Sequence, residues 1–319
     1  MQFHPYWLLA SASLALTATP SHVAFAQAAA SQPAPTSAVQ QNEHILRDQF
    51  TKIYTEHGVL PIPIHRGGGM HQPENTIESF EYSWARHMVP EADIRTTKDG
   101  VIVVIHDETV VRTAPDAPEN IRNTLISDLN LAELKSLDVG AFRGKSGQSI
   151  PTLDEVFAVM AKDPSKFLHL DYKDIDLNIL SQMVKRHGVE KQVIFTTNRY
   201  DLIQQWRKLV PTSQTMIWMG GSQQDIEAVL NRLRANNFQD IYIVHMHYRP
   251  VADSSAFNMT DAFMLNTQAE LAAMGIVLQI QPWNIEDPLI YERLFKIGIR
   301  NVGTDFPDML RLIRARYIK

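Results

Sequence analysis

The 319-residue chain contains no cysteine. That absence excludes a thiolate nucleophile, cysteine-ligated zinc, a disulfide framework and a lipoprotein anchor. Runs of lysine and arginine are missing too, and the formal net charge is -5. Displacing counterions from nucleic-acid phosphates takes clustered positive charge, so no nucleic-acid partner is expected. Long apolar runs are also absent. The sustained stretch near the start, residues 7–19, is shorter than the roughly 20 residues a helix needs to cross a bilayer. With 45% hydrophobic and 20% charged residues the composition is that of a water-soluble globular protein, which rules out a disordered or collagenous chain.

Residues 7–19 read instead as the apolar region of a signal peptide, although no Lys or Arg precedes them. Behind them lies Ala24-Phe25-Ala26, the small-x-small pattern that a signal peptidase accepts. Segment 1–26 is therefore expected to be removed, leaving a chain that starts at Gln27 and is secreted to the periplasm without a stable membrane anchor. Residues 27–42, rich in Ala, Gln, Ser and Pro, have no core-forming periodicity and are expected to be a disordered linker ahead of a domain over 43–319.

From residue 43 a regular alternation begins. Asn42 is placed to cap a helix over Glu43 to His57, whose Leu46, Phe50, Ile53 and Tyr54 fall at helical spacing and would plug one end of a larger body. Eight strand signals follow, at 62–65, 91–97, 167–173, 193–197, 215–219, 241–247, 276–281 and 299–304. Helical segments come between them, among them 75–87, 152–161, 176–187, 223–235 and 287–297. Parallel neighbours need crossovers, so strand and helix in alternation imply a parallel sheet, and eight units imply an α/β (β/α)8 TIM barrel. One region departs from the pattern. Lys98-Asp99-Gly100 turns the second strand back as a hairpin through Val101 to His106, and residues 107–150 read as a small insertion set to cover the barrel mouth.

Side chains two apart on a strand face the same way. Glu91 and Asp93 therefore point together, as do His169, Asp171 and Lys173. His65 and Arg66 end the first strand, ahead of Gly67-Gly68-Gly69, where missing side chains let backbone approach a ligand; His106-Asp107 ends the hairpin. Carboxylates converging on one point repel unless a positive charge sits between them, and a hard divalent cation answers that need. Oxygen donors favour Mg2+ or Ca2+ over zinc. Two histidines, an arginine and a lysine around such an ion can neutralise an anionic substrate and move protons in both directions, an inventory that fits phosphodiester chemistry.

The motifs His65-Arg66-Gly67, Pro73-Glu74-Asn75-Thr76, Glu91-x-Asp93, Thr97-Lys98-Asp99-Gly100 and His106-Asp107 resemble those of the glycerophosphodiester phosphodiesterase family. The likeness continues in order through Arg112-Thr113, Ile150-Pro151-Thr152-Leu153-Asp154-Glu155, Asp171-Tyr172-Lys173, Pro282-Trp283-Asn284 and Gly303-Thr304-Asp305-Phe306-Pro307-Asp308, covering about residues 61–310. The resemblance implies a barrel that binds one divalent cation and hydrolyses a small glycerophosphodiester to sn-glycerol 3-phosphate and an alcohol. It implies Glu91, Asp93 and Asp171 as metal ligands, although the family usually has Glu at the third position. It further implies Lys173 and Arg66 on the phosphate, and His65 and His106 as general base and acid, a task suited to a side chain with an unperturbed pKa of about 6.5. Trp283 matches a family aromatic and is a candidate to line the glycerol pocket of the substrate site, with plain packing at a strand end as the equal alternative. Glu74 either approaches the metal or holds Arg66 in place.

Other readings stand beside these. His44, His57, His71, His87 and His187 lack acidic company and read as structural; His169 reads as a hydrogen-bonded core residue. His245-Met246-His247 on one strand offers two zinc donors but no third at obvious spacing, and reads rather as a contact with substrate from the sixth strand. Met216, Trp218 and Met219 read as barrel packing. A lysophospholipase D or sphingomyelinase D-like lipid phosphodiesterase would share the fold, the metal and both histidines. A non-catalytic phosphoester-binding barrel is the rival of another class.

Overall fold

A computed structural model describes residues 38–318. The expected signal peptide and the linker up to residue 37 lie outside the described residues. Helix α1 spans Ala38–Glu56, so it begins before the expected cap, and Asn42 lies inside it. Ala and Gln are good helix formers and an interior Asn costs less than about 1 kcal/mol, so nothing in 38–42 halts the helix. As expected, its apolar face closes one end of the barrel. Phe50 and Tyr54 are buried against Val89, Phe167, Ile194, Met216, Tyr242 and Ile243. The Arg47 guanidinium donates to the carbonyls of Phe238, Ile241 and Met274, tying the helix to the barrel floor.

Seven parallel strands run in the order β1 (Pro63–Ile64), β2 (Val89–Thr96), β4 (Leu168–Asp174), β5 (Val193–Thr197), β6 (Gln214–Met219), β7 (Ile243–Tyr248) and β8 (Val277–Pro282). β3 (Ile102–Val104) returns antiparallel on β2, forming the expected hairpin. The last expected strand, 299–304, is not a regular strand. It closes the barrel by single parallel bridges, Ile280 to Val302 and Thr304 to Ile64. Gly303 sits between those bridges, and Gln281 Oε1 lies where its Cβ would be, so a side chain fills the room that a regular ladder residue would take.

The crossover helices begin where their caps lie. Thr76 caps α2 (Ile77–Trp84), Thr152 caps α5 (Leu153–Met160), Asp176 caps α6 (Leu177–His187) and Ser222 caps α8 (Gln223–Ala235), each side-chain oxygen accepting a first-turn N–H. α7 (Tyr200–Leu209), α9 (Asp261–Ala273), α10 (Pro288–Ile297) and α11 (Pro307–Tyr317) complete the outer layer. The helix expected over 75–87 is shorter because Asn75 and His87 both have positive φ, 56° and 57°. The 107–150 insertion carries short helices α3 (Glu119–Arg122) and α4 (Leu131–Lys135) and its own apolar cluster, in which Val110, Ile126, Leu134 and Ile150 pack on Val103 and Ile105 of the hairpin. Among the described residues no helix is long and apolar enough to cross a membrane.

Candidate active site

The site grows from the register of β2 on β4. Glu91 lies beside His169 and Asp93 beside Asp171. Because alternate residues share a face, three carboxylates converge at the strands' C-terminal ends. Ligand atoms of Glu91, Asp93 and Asp171 lie within 4.8 Å of one another, the expected trio. Lys173 reaches back over them, its Nζ 2.9 Å from Asp93 Oδ1 and 2.5 Å from Asp171 Oδ2. The electrostatics record the crowding. Burial pushes the Glu91 carboxyl up to about 8, with Asp93 and Asp171 adding to the effect against the opposing charge of His65. Burial likewise raises Asp171, whereas Asp93 is held low because Lys173, His106 and Arg66 outweigh its burial. Carboxyls that are costly to ionise together, all oxygen donors, fit a hard divalent cation.

Asp171 is short of the family's usual Glu by one methylene, and its free oxygen has a partner. Trp218 Nε1 donates to Asp171 Oδ1 at 3.2 Å. Trp218 is therefore more than the barrel packing expected of it. Asn75 grips Asp93 from both sides, its Nδ2 donating to Oδ2 at 2.7 Å and its Oδ1 accepting from the Asp93 backbone N–H at 3.1 Å. The positive φ of Asn75 is what aims that amide inward, a strained conformation kept at a site that uses it.

Each expected catalytic histidine has Nδ1 on a carboxylate. His65 Nδ1 lies 2.6 Å from Asp305 Oδ1 and His106 Nδ1 lies 2.7 Å from Asp107 Oδ1. A ring that donates from Nδ1 to a carboxylate has Nε2 left to accept or give a proton, the tautomer following from the network. Burial works against charging His65, but the bond to Asp305 and the field of Glu91 outweigh it and raise its pKa. Asp305, fully buried, is lowered because His65 and the Asn284 backbone N–H more than offset its desolvation.

Arg66 sits at φ 51° and its Nη1 donates to both oxygens of Glu74, at 3.1 and 3.2 Å. Glu74 is buried and also accepts from Arg112 Nη1 and Nη2 at 2.5 and 2.7 Å, so it holds the arginine in place and stands outside the carboxylate trio. Arg112 in turn donates to Asp107 at 2.8 Å. A chain of charges thus runs from His106 through Asp107, Arg112 and Glu74 to Arg66, fastening the insertion to the first strand's loop. The glycines there do not open a path for a ligand, contrary to expectation. A Cβ on Gly67 would meet Ser79 and Phe80 of α2, and one on Gly69 would collide with the Asp305 carbonyl, so their absent side chains admit the chain's own atoms.

A cavity of about 580 Å3 opens over the trio, lined by both histidines, by Lys173 and by Trp218, His247 and Trp283. Trp218 stacks on His247 at 5.4 Å, and Trp283 leans on His247 at 4.5 Å and on His65 at 4.8 Å. His245 and His247 do not form a zinc site. Burial lowers His245 to about 4, its Nδ1 lies 3.1 Å from Gln279 Oε1, and among the described residues neither joins a metal-binding cluster. His169 is the expected core histidine, buried beside Thr196 Oγ1 at 3.2 Å. Sequence reasoning missed Asp305, Asp107, Arg112, Asn75 and Trp218 as working parts. The first four stood inside quoted motifs, which was the available signal; Trp218 had none.

Fold and site define a barrel with a convergent carboxylate trio flanked by two carboxylate-oriented imidazoles, an arrangement of the hydrolase class. The model of the glycerophosphoryl diester phosphodiesterase family matches residues 65–309, and the chain belongs to that family. A glycerophosphodiester phosphodiesterase of Caldanaerobacter subterraneus is 30% identical over 260 residues, covering 78% of this chain and 96% of its own. A human lysophospholipase D is 26% identical, covering 77% and 83%. A phosphodiesterase of Oleispira antarctica, solved in complex with the product sn-glycerol-3-phosphate, shares the fold with a TM-score of 0.62 at 22% identity, covering 82% of this chain and 98% of its own.

Proposed function

We propose that the protein hydrolyses glycerophosphodiesters to sn-glycerol 3-phosphate and an alcohol, with a divalent cation, Ca2+ or Mg2+, held by Glu91, Asp93 and Asp171. The observation that carries this reading is the pair of imidazoles, each with Nδ1 on its own carboxylate, in one cavity with the trio. When bound, the cation supplies a Lewis acid for a phosphoryl oxygen. Arg66 and Lys173 bring fixed positive charge to the substrate's non-bridging oxygens, the electrostatic help that dominates such reactions. One histidine accepts at Nε2 the proton of the attacking hydroxyl, from water or from the glycerol 2-hydroxyl. The other gives its Nε2 proton to the departing alkoxide. One P–O bond forms, one breaks, and the alcohol leaves neutral. Trp283 closes the pocket beside His65. The leader motif supports export to the periplasm, where lipid-derived diesters would be met.

A second reading on the same site, a lysophospholipase D, draws on the human relative and on Val111 and Leu125, which stand exposed on the insertion. The test is release of sn-glycerol 3-phosphate from glycerophosphocholine, run beside lysophosphatidylcholine, with His65→Ala and His106→Ala as controls. The proposal expects release from the soluble diester and loss by orders of magnitude in both variants. Near-normal turnover in either variant would sink the two-histidine mechanism, and turnover of the lipid alone would favour the second reading.

A further inference from the structure

We propose that the alcohol half of the substrate carries a phosphate group of its own, received by Arg232 and Arg249; this rests on the phosphodiesterase reading and narrows it to a substrate class. Beyond the trio the cavity continues along β6, β7 and α8, where Asn198, Gly220, Gly221, Arg232 and Arg249 line it. Among the described residues Arg232 and Arg249 have no carboxylate within ion-pair distance. They are the arginines of the cavity lining, whereas Arg66 and Arg112, beside the catalytic groups, are both paired with Glu74. Asp225, an acid of the same lining, is engaged by the helix cap, its Oδ2 accepting from Ser222 N at 2.8 Å and Ser222 Oγ at 2.7 Å at the start of α8.

Arg249 is held in position without being neutralised. Its guanidinium carbon lies 4.6 Å from the Trp283 ring centre, and its Nη2 lies 3.4 Å from His247 Nδ1. His247 stays neutral because burial lowers its pKa, with His245 and Arg249 adding to the effect. The contact therefore leaves the arginine's charge free while stacking fixes its plane. A choline head group would find a guanidinium over the indole it needs, and like charge would oppose it. The glycerol half has only hydroxyls and calls for no counter-charge. The reacting phosphate is served by Arg66, Lys173 and the cation site. Two guanidiniums without a carboxylate partner line the one cavity, and their planar forks suit phosphate in particular.

The test compares kcat/KM of the full chain, with its cation, on glycerophosphoinositol 4-phosphate and glycerophosphoinositol, which differ by one phosphate, with glycerophosphocholine as the cationic control. The expected result is a preference of about tenfold or more for the phosphorylated alcohol, the order of one charge-assisted hydrogen bond. That ratio should collapse toward one in Arg249→Met and fall in Arg232→Met, both exposed positions whose melting curves check folding. Equal turnover of the two inositol diesters, a preference for the choline diester, or a ratio unchanged in both variants overturns this inference and leaves the hydrolase reading standing. Release from none of the three overturns both.

Discussion

Asp305→Asn separates the charge of this carboxylate from its shape. In the protein the carboxylate is fully buried, 2.6 Å from His65 Nδ1, and accepts from Asn284 N at 2.9 Å. The amide oxygen of the new side chain can still accept from Asn284, so the loop keeps its anchor. His65 loses a charge-assisted bond of roughly 1.5–3 kcal/mol, about 10- to 100-fold in rate if it serves the transition state. An amide that donates to Nδ1 would also move the ring proton to Nε2, the wrong tautomer, and carboxylate-to-amide changes of this kind lower kcat by up to about 10^4. The expected fall in kcat is therefore about 10^2 to 10^4, with KM changed much less. The pH profile adds a sign. Asp305 keeps His65 charged to higher pH than usual, so its removal moves the limb set by His65 to lower pH, whichever proton role that ring plays. Stability follows the same pair. The lowered Asp305 contributes above about pH 3.9 and the raised His65 contributes below about pH 6.5, so the variant loses most stability between those values. Near-normal kcat with an unmoved profile would refute the reasoning.

Three other outcomes follow from the same geometry. With chelator present, the native state keeps a proton on Glu91 that the unfolded chain has already released, because burial raises that carboxyl to about 8; melting temperature should fall as pH rises from about 5 to 8 and recover when Ca2+ or Mg2+ is added. A melting temperature flat with pH and indifferent to cations would count against the acidic site. Arg112→Met cuts the link from Asp107 to Glu74 and should lower kcat/KM by about 10- to 100-fold, as removal of an orienting partner does, while circular dichroism stays unchanged. Arg47→Met leaves the carbonyls of Phe238, Ile241 and Met274 without their donor under α1 and should cost about 2–4 kcal/mol in urea unfolding; a loss below about 1 kcal/mol would show the clamp to be idle.

The barrel was legible wherever a repeating pattern reports on burial. β5 occupies the expected residues 193–197 and α8 the expected 223–235, since a short, wholly buried β-favouring run decides the one and helical apolar spacing the other. The carboxylate trio was legible for the same reason, period two along β2 and β4. What lay beyond reach was set by contacts between distant loops. Asp305 meets His65 across 240 positions, and Arg112 meets Glu74 across 38, with no period to announce either. The closing segment 299–304 looked like a strand because it follows a helix in the strand–helix rhythm and carries Ile299, Val302 and Thr304, yet Gly303 yields its space to Gln281 and leaves only bridges. Asn42 looked like a cap because local chemistry permits one there, while the chain before it remains helical.

The most direct test of the account is a chelated sample of the protein given glycerophosphocholine, with sn-glycerol 3-phosphate measured before and after Ca2+ or Mg2+ is returned. The account predicts release only after a cation is restored, and none from Asp93→Asn under either ion. Release that ignores the chelator, or a substitution at Asp93 that leaves the rate intact, would contradict the claim that this trio and its cation carry the reaction.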